Sequence, residues 1–303
     1  MSNEIIAGVL EIIMNNALPG VAQACIMLMC APLIAGIINK TKAQLNKRQG
    51  ASVFQEYFDL IKWWKKPTML TPYTSWIFIM APIIYFATSF MAAMMVPGFL
   101  TNTVTFGDAF VFVYILALGR FFLCLSSMDA ATSFGGMGGA REIYVSVLVE
   151  PAVMLAVLIN ASRYHTTTLS HMVMNYDAAY FSVSAVLACL AFFMVILAEN
   201  CRLPVDNPDT HLELTMIHEG MTLEYSGRLL TLIHLGSFLK IVVFLTLFGA
   251  LYLPFNIPLV LKIFLGAVVI GIVEIINNKM RLFKVRVYLA AAVVMLLVAI
   301  IAQ

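Results

Sequence analysis

The sequence predicts an all-α membrane protein of about eight transmembrane helices, flanked by amphipathic helices at the interface. Three observations carry this. The chain is 62% hydrophobic and only 11% charged, against roughly 25% charged in soluble domains. It holds eight long apolar runs, at about 17–38, 74–98, 107–126, 143–162, 179–199, 229–254, 256–276 and 284–302. Each approaches the roughly 20 residues that a spanning helix needs. The runs show no alternation in segments of about ten residues, the pattern of a barrel strand. Thirdly, the cations are strongly biased. The segments after the odd-numbered runs hold 14 Lys and Arg, and the even-numbered segments hold Arg163 alone. The positive-inside rule then places the odd loops in the cytoplasm and both termini outside.

The whole chain, 1–303, reads as one polytopic domain with cytoplasmic loops at about 40–73, 127–142, 200–228 and 277–283. Residues 1–16 have no basic start, and Glu4 and Glu11 interrupt their apolar run. They read as a short amphipathic helix at the interface rather than a signal peptide. In the first loop Phe54, Phe58, Ile61 and Lys65 recur at helical spacing, which predicts a surface helix over 53–66 with Trp63 and Trp64 at headgroup level. In the fifth loop Pro204 and Pro208 end a helix, and Thr210 to Glu213 has the form of a capping box that starts a new one.

Five cysteines, Cys25, Cys30, Cys124, Cys189 and Cys201, include no C-x-x-C pair. The expectation is that this chain binds no cofactor or metal, so any redox centre would sit in a partner. His211 and His218 lie seven apart without the further ligands a metal site needs.

Candidate chemistry concentrates in carboxylates. The fifth loop carries Glu199, Asp206, Asp209, Glu213, Glu219 and Glu224 on a side otherwise rich in bases. Within the runs lie Glu150, next to Pro151, and Lys240 and Glu274. Each costs about 2.5–3.5 kcal/mol to insert, so such residues face a bundle interior and mark ion routes or static pairs. A Lys240–Glu274 pair is one such reading. Arg120 and Lys262 also fall in runs and are read as snorkelling.

With these residues laid out, the chain resembles the membrane subunit shared by respiratory complex I (its subunit-1 or H-type protein) and the membrane-bound energy-converting [NiFe] hydrogenases. The likeness favours the hydrogenase branch of formate hydrogenlyase and hydrogenase-4. It rests on Lys47, Arg48, Gly50, Gln55, Asp59 and Lys62 in the first loop. Asp129, Gly138, Arg141, Glu142 and Glu150-Pro151 follow, then Glu199, Pro204, Asp206, Glu213-Leu214 and Glu224 to Gly227, and finally Lys240, Glu274, Asn277 and Arg281. The chain departs from the family at Ala51, Val205 and His211, and by about three extra residues between Glu213 and Tyr225.

The resemblance implies a non-catalytic subunit that docks a peripheral arm and couples its electron transfer to proton or sodium movement. Expected partners are [NiFe] large and small subunits, an iron–sulfur protein and antiporter-like membrane chains. Iron–sulfur clusters and the [NiFe] centre would belong to those partners. Coupling falls to Glu150, Glu199, Asp206, Glu213, Glu219, Glu224, Lys240 and Glu274. Docking falls to Lys47, Arg48, Gln55, Asp59, Lys62, Asp129, Arg141, Glu142 and Arg202. A quinone-site subunit of a complex I-type dehydrogenase stays open as the alternative, and a stand-alone transporter is disfavoured because no internal repeat is evident.

Overall fold

A computed structural model describes residues 2–98, 107–174, 182–207, 215–253 and 257–303. Seven helices are long and apolar enough to cross a membrane: α1 (Ser2–Leu45, apolar from Leu18), α3 (Trp76–Met95), α4 (Ala109–Asp129), α5 (Ser133–Tyr164), α9 (Gly227–Leu251), α10 (Leu259–Ile276) and α11 (Leu282–Ile301). The shorter apolar α7 (Val183–Glu199) is the eighth. Three short helices complete the described residues: α2 (Gln55–Lys65), α6 (Leu169–Met174) and α8 (His218–Thr222).

Three expectations are corrected here. Residues 2–16 are not a separate interfacial helix, because α1 runs unbroken from Ser2 to Leu45, through Pro19 and Pro32. Nothing near residue 16 supplies the turn that a separate helix would need. The expected loop 127–142 is largely helical, since α5 starts at Ser133 behind a Thr132 cap whose side chain accepts from the Gly135 amide. Its glycines serve close approach rather than a turn: a Cβ on Gly138 would lie 3.0 Å from the Gly220 carbonyl carbon of α8. The helix expected from Thr210 is described only as α8, and Thr210, His211 and Glu213 lie outside the described residues.

The bundle alternates as the run count requires. At one end Lys42 of α1 meets Glu274 of α10, Asp129 of α4 accepts from the Ser75 amide before α3, and Arg141 of α5 reaches the Met216 carbonyl. That end holds the basic segments. At the other end Gln23 of α1 bonds the Val96 carbonyl after α3, and Asp108 pairs with Thr168. There Lys262 donates to the Gly249 and Leu253 carbonyls at the C-terminus of α9. That is a cation placed on a helix's negative end, where it also satisfies orphan carbonyls.

Lipid tails give helices no hydrophobic reason to associate, so close packing must hold them. The interfaces are accordingly built from small residues. Ala92, Ala109, Ala152, Ala156, Ala188, Ala191, Ala267 and Ala292 are fully buried. The larger gaps between α4, α7 and α9 are filled by Phe112, Phe192, Phe244 and Phe248. Helix α3 packs on α4 and α9, and α5 on α4, α7 and α11. This arrangement turns the inner faces of α4, α5, α7 and α9 toward one another.

Helix α2 lies against α1 and α9. Its Leu60 is buried, whereas Phe54, Phe58, Ile61 and Trp64 are exposed along one stripe. The expected surface helix is therefore present, with the expected apolar face turned outward.

Candidate functional site: a buried charge cluster and its cavity

Arg120 stands at the centre of the bundle, on α4, with about 5% of its side chain accessible. Its guanidinium contacts Glu199 of α7, Glu142 of α5 at 3.4 Å and Glu150 of α5 at 3.9 Å. Lys240 of α9 reaches the same Glu199 oxygen at 2.8 Å and donates to the Glu199 backbone carbonyl at 2.8 Å. Four helices thus contribute three carboxylates and two cations to one knot. Arg120 suits this place because its planar fork serves several carboxylates and keeps its charge when buried.

The knot is not fully closed. Both cations converge on Glu199 Oε1, and the buried Oε2 has no hydrogen-bond partner. Glu142 is buried and lies 3.7 Å from the Cys201 thiol. Glu150 differs, because 41% of its side chain is exposed at the rim of the bundle.

A cavity of about 200 Å³ leads to the knot. Its deep wall holds Arg120, Glu142, Glu199 and Lys240, and its mouth is framed by Asn39, Glu56, Trp63 and His234. Asn39 donates to Glu56 at 2.8 Å, and Trp63 stacks on His234 with 4.6 Å between ring centres. The cavity is large and polar enough to admit several waters, any of which could donate to Glu199 Oε2.

Asp206, Glu219 and His218 line the same cavity. The Asp206 carboxylate accepts from the Ile217 amide at 3.3 Å and the His218 amide at 3.1 Å, and it pairs with Lys279 at 2.8 Å. Burial pushes the His218 imidazole down to about 4 against the pull of Asp206. It is therefore neutral at physiological pH, with one ring nitrogen donating and the other accepting. Burial likewise raises the Cys201 thiol, so it stays protonated.

A second knot lies on the basic end. Glu274, with its side chain fully enclosed, pairs with Lys42 at 2.9 Å and Arg202 at 3.3 Å.

The residues assigned to coupling are therefore split. Glu199 and Lys240 meet directly, Glu150 joins them only through Arg120, and Asp206 and Glu219 line the approach. Glu274 belongs to the separate knot, Glu224 does not line the cavity, and Glu213 lies outside the described residues. The expected Lys240–Glu274 pair is corrected: Lys240 pairs with Glu199, because α9 turns it toward α7 rather than α10.

Two residues assigned to docking are also corrected. Glu142 and Arg202 are buried in the two knots and present no surface. Lys47, Arg48 and Lys62 are exposed, Gln55 bonds Asp59 at 3.2 Å, and Asp129 and Arg141 are half-buried against backbone groups. Arg120, read as snorkelling, is the central cation. Among the described residues no three His, Cys, Asp or Glu side chains gather to hold a metal.

The NADH dehydrogenase family model matches residues 20–303, nearly the whole bundle. The chain belongs to this family. Hydrogenase-4 component C of Escherichia coli is 35% identical over 78% of this chain and 75% of its own length. Formate hydrogenlyase subunit 4 of Escherichia coli is 28% identical over 86% of this chain and 90% of its own. In fold, the chain matches one from the membrane-bound sulfane sulfur reductase, an archaeal respiratory membrane complex. That match has a TM-score of 0.77 at 17% identity, covering 93% of this chain and 98% of the other. The chain is thus a multi-pass membrane protein of the NADH dehydrogenase family, and the charge cluster lies inside the matched region.

Proposed function

We infer that this chain, a membrane subunit of a respiratory complex, is the anchor and coupling subunit of an energy-converting [NiFe] hydrogenase of the formate hydrogenlyase type. The names of its two relatives support the hydrogenase branch. The subunit carries no redox centre of its own. Iron–sulfur clusters and the [NiFe] centre sit in the partner arm, which docks on the basic, cytoplasmic end. Both termini then lie on the outer side of a prokaryotic inner membrane.

One observation carries the coupling role. Five ionisable groups from four helices meet inside the membrane-spanning bundle, at the end of a polar cavity that opens beside α2. Such a cluster can pass a proton or follow an ion by changing which carboxylate the two cations serve. Glu150 points to the next chain. A carboxylate left half-exposed to lipid would cost about 2.5–3.5 kcal/mol on insertion scales. An antiporter-like membrane subunit against this face removes the cost and continues the path. The charged groups gathered at the end of the cavity suit proton handling better than the quinone alternative, whose long apolar tail needs an apolar chamber.

Glu150→Gln tests the reading. Arg120 keeps Glu142 and Glu199, and Glu150 is its most distant partner, so the variant complex should assemble and turn over. Proton or sodium uptake by membrane vesicles during turnover should fall at least about tenfold. Undiminished ion uptake in that variant overturns the coupling role. Docking is tested separately at exposed Arg48. Arg48→Glu should release most of the peripheral arm from washed membranes, and full retention of the arm there excludes a docking role for this loop.

A further inference from the structure

The cavity contains a hydrogen-bonded chain that the charge cluster does not explain. Tyr85 of α3, Ser237 of α9 and His218 of α8 all line it. The Tyr85 hydroxyl lies 3.2 Å from Ser237 Oγ, which lies 3.3 Å from His218 Nε2. Tyr85 is 5% exposed.

The local packing is arranged around this chain. A Cβ on Gly236 would lie 2.8 Å from Tyr85 Cδ1, so only glycine lets the ring settle on α9 beside Ser237. On its other side, Tyr85 backs onto Gly119 of α4, the residue before Arg120. The Asp206 carboxylate holds the His218 backbone amide at the loop end. At the inner end Lys240 lies one turn along α9 from Ser237, and the unpartnered Glu199 Oε2 lines the same cavity.

We propose that His218, Ser237 and Tyr85 form a proton wire between the loop end of the cavity and Glu199, with cavity water as the last carrier. This rests on the coupling role proposed above. The step is a concerted shift. As a proton arrives at His218 Nδ1, the Nε2 proton passes to Ser237 Oγ. Ser237 passes its own proton to Tyr85, and Tyr85 passes its own to water facing Glu199 Oε2. One proton enters, one leaves, and no heavy atom moves.

Ser237 also supplies a switch. Its single proton has three competing acceptors, the Ile233 carbonyl at 3.0 Å, His218 Nε2 and Tyr85 Oη. With the hydroxyl turned to Ile233 the wire is interrupted; turned to Tyr85 it is set for transfer toward Glu199, and it must rotate back before another proton can follow. A rotor of this kind passes protons singly, whereas a continuous water column would conduct whenever wetted.

The test uses the whole complex in proteoliposomes, with proton uptake followed during redox turnover. Tyr85→Phe and Ser237→Ala keep the fold's shape but each removes one hydroxyl. Each should slow proton uptake by about tenfold or more, and Ser237→Thr should restore most of the rate. Glu150→Gln serves as the control for the coupling role itself. If Glu150→Gln stops uptake while Tyr85→Phe and Ser237→Ala do not, the wire is wrong and the coupling role stands. If Glu150→Gln leaves uptake intact, the coupling role fails and takes the wire with it. If Ser237→Ala is slow and Ser237→Thr fails to rescue it, the hydroxyl is a packing group and the wire is again excluded.

Discussion

Arg120→Met should be among the most damaging single changes in the molecule, costing roughly 3–5 kcal/mol as expected for breaking a buried ion pair. The guanidinium contacts Glu142, Glu150 and Glu199, and the first and last of these are buried. Removing it leaves Lys240 alone to offset them, and Lys240 reaches only Glu199. The stranded carboxylates must take up protons or water, and either opens the seam between α4, α5 and α7. Arg120→Lys should fall between wild type and Met, because one ammonium point cannot serve three carboxylates that a planar fork can. The measurement is the half-life of the folded complex in detergent at fixed temperature, since large membrane assemblies unfold irreversibly and a rate is the defined quantity. An unchanged half-life in Arg120→Met would mean that the carboxylates rest in the protonated state. The knot would then be a proton store rather than an ion-pair network.

The runs, the alternation of the helices and the surface helix α2 were legible because each depends on local composition alone. So were most of the carboxylates, since a charge in an apolar run stands out in any reading. What the sequence withheld was rotation. Lys240 faces Glu199 and not Glu274 because of how α9 turns against α7, which no run of letters encodes. Glu142 and Arg202 lie where a loop was expected. The extension of α5 to Ser133 draws Glu142 into the bundle, and the turn after α7 folds Arg202 back onto α10.

Arg120 was the avoidable miss. It sits mid-run in AFVFVYILALGRFFLCL, at the twelfth position of the 21-residue helix α4. That is roughly 15 Å from either end at 1.5 Å per residue, too deep for its stem to carry the charge to an interface. Depth in the run, weighed before the identity of the residue, would have placed it with Glu150 and Lys240. The wire had no sequence signal at all, because Tyr85 lies 152 residues from Ser237 and nothing in the chain shows that α3 meets α8 and α9 there.

The second knot leads to the other large expected effect. Glu274 of α10 is fully enclosed and neutralises Lys42 of α1 and Arg202 after α7, two cations that otherwise repel. Glu274→Gln keeps the shape and removes the charge, and it should cost roughly 3–5 kcal/mol. The neighbouring pair gives the contrast. Lys279 is partly accessible, and Asp206 also accepts from three backbone amides, those of Asn207, Ile217 and His218. Lys279→Met should therefore cost only about 1 kcal/mol, the net worth of one replaceable hydrogen bond. Both variants are read by the same detergent half-life, with Glu274→Gln expected to shorten it severely and Lys279→Met slightly. The order matters more than the sizes. If Glu274→Gln proved the milder of the two, Lys42 and Arg202 would have to reach water on the basic end. The contact of α1 with α10 would then rest on packing around Gly271 and Thr41, with the ion pairs contributing little.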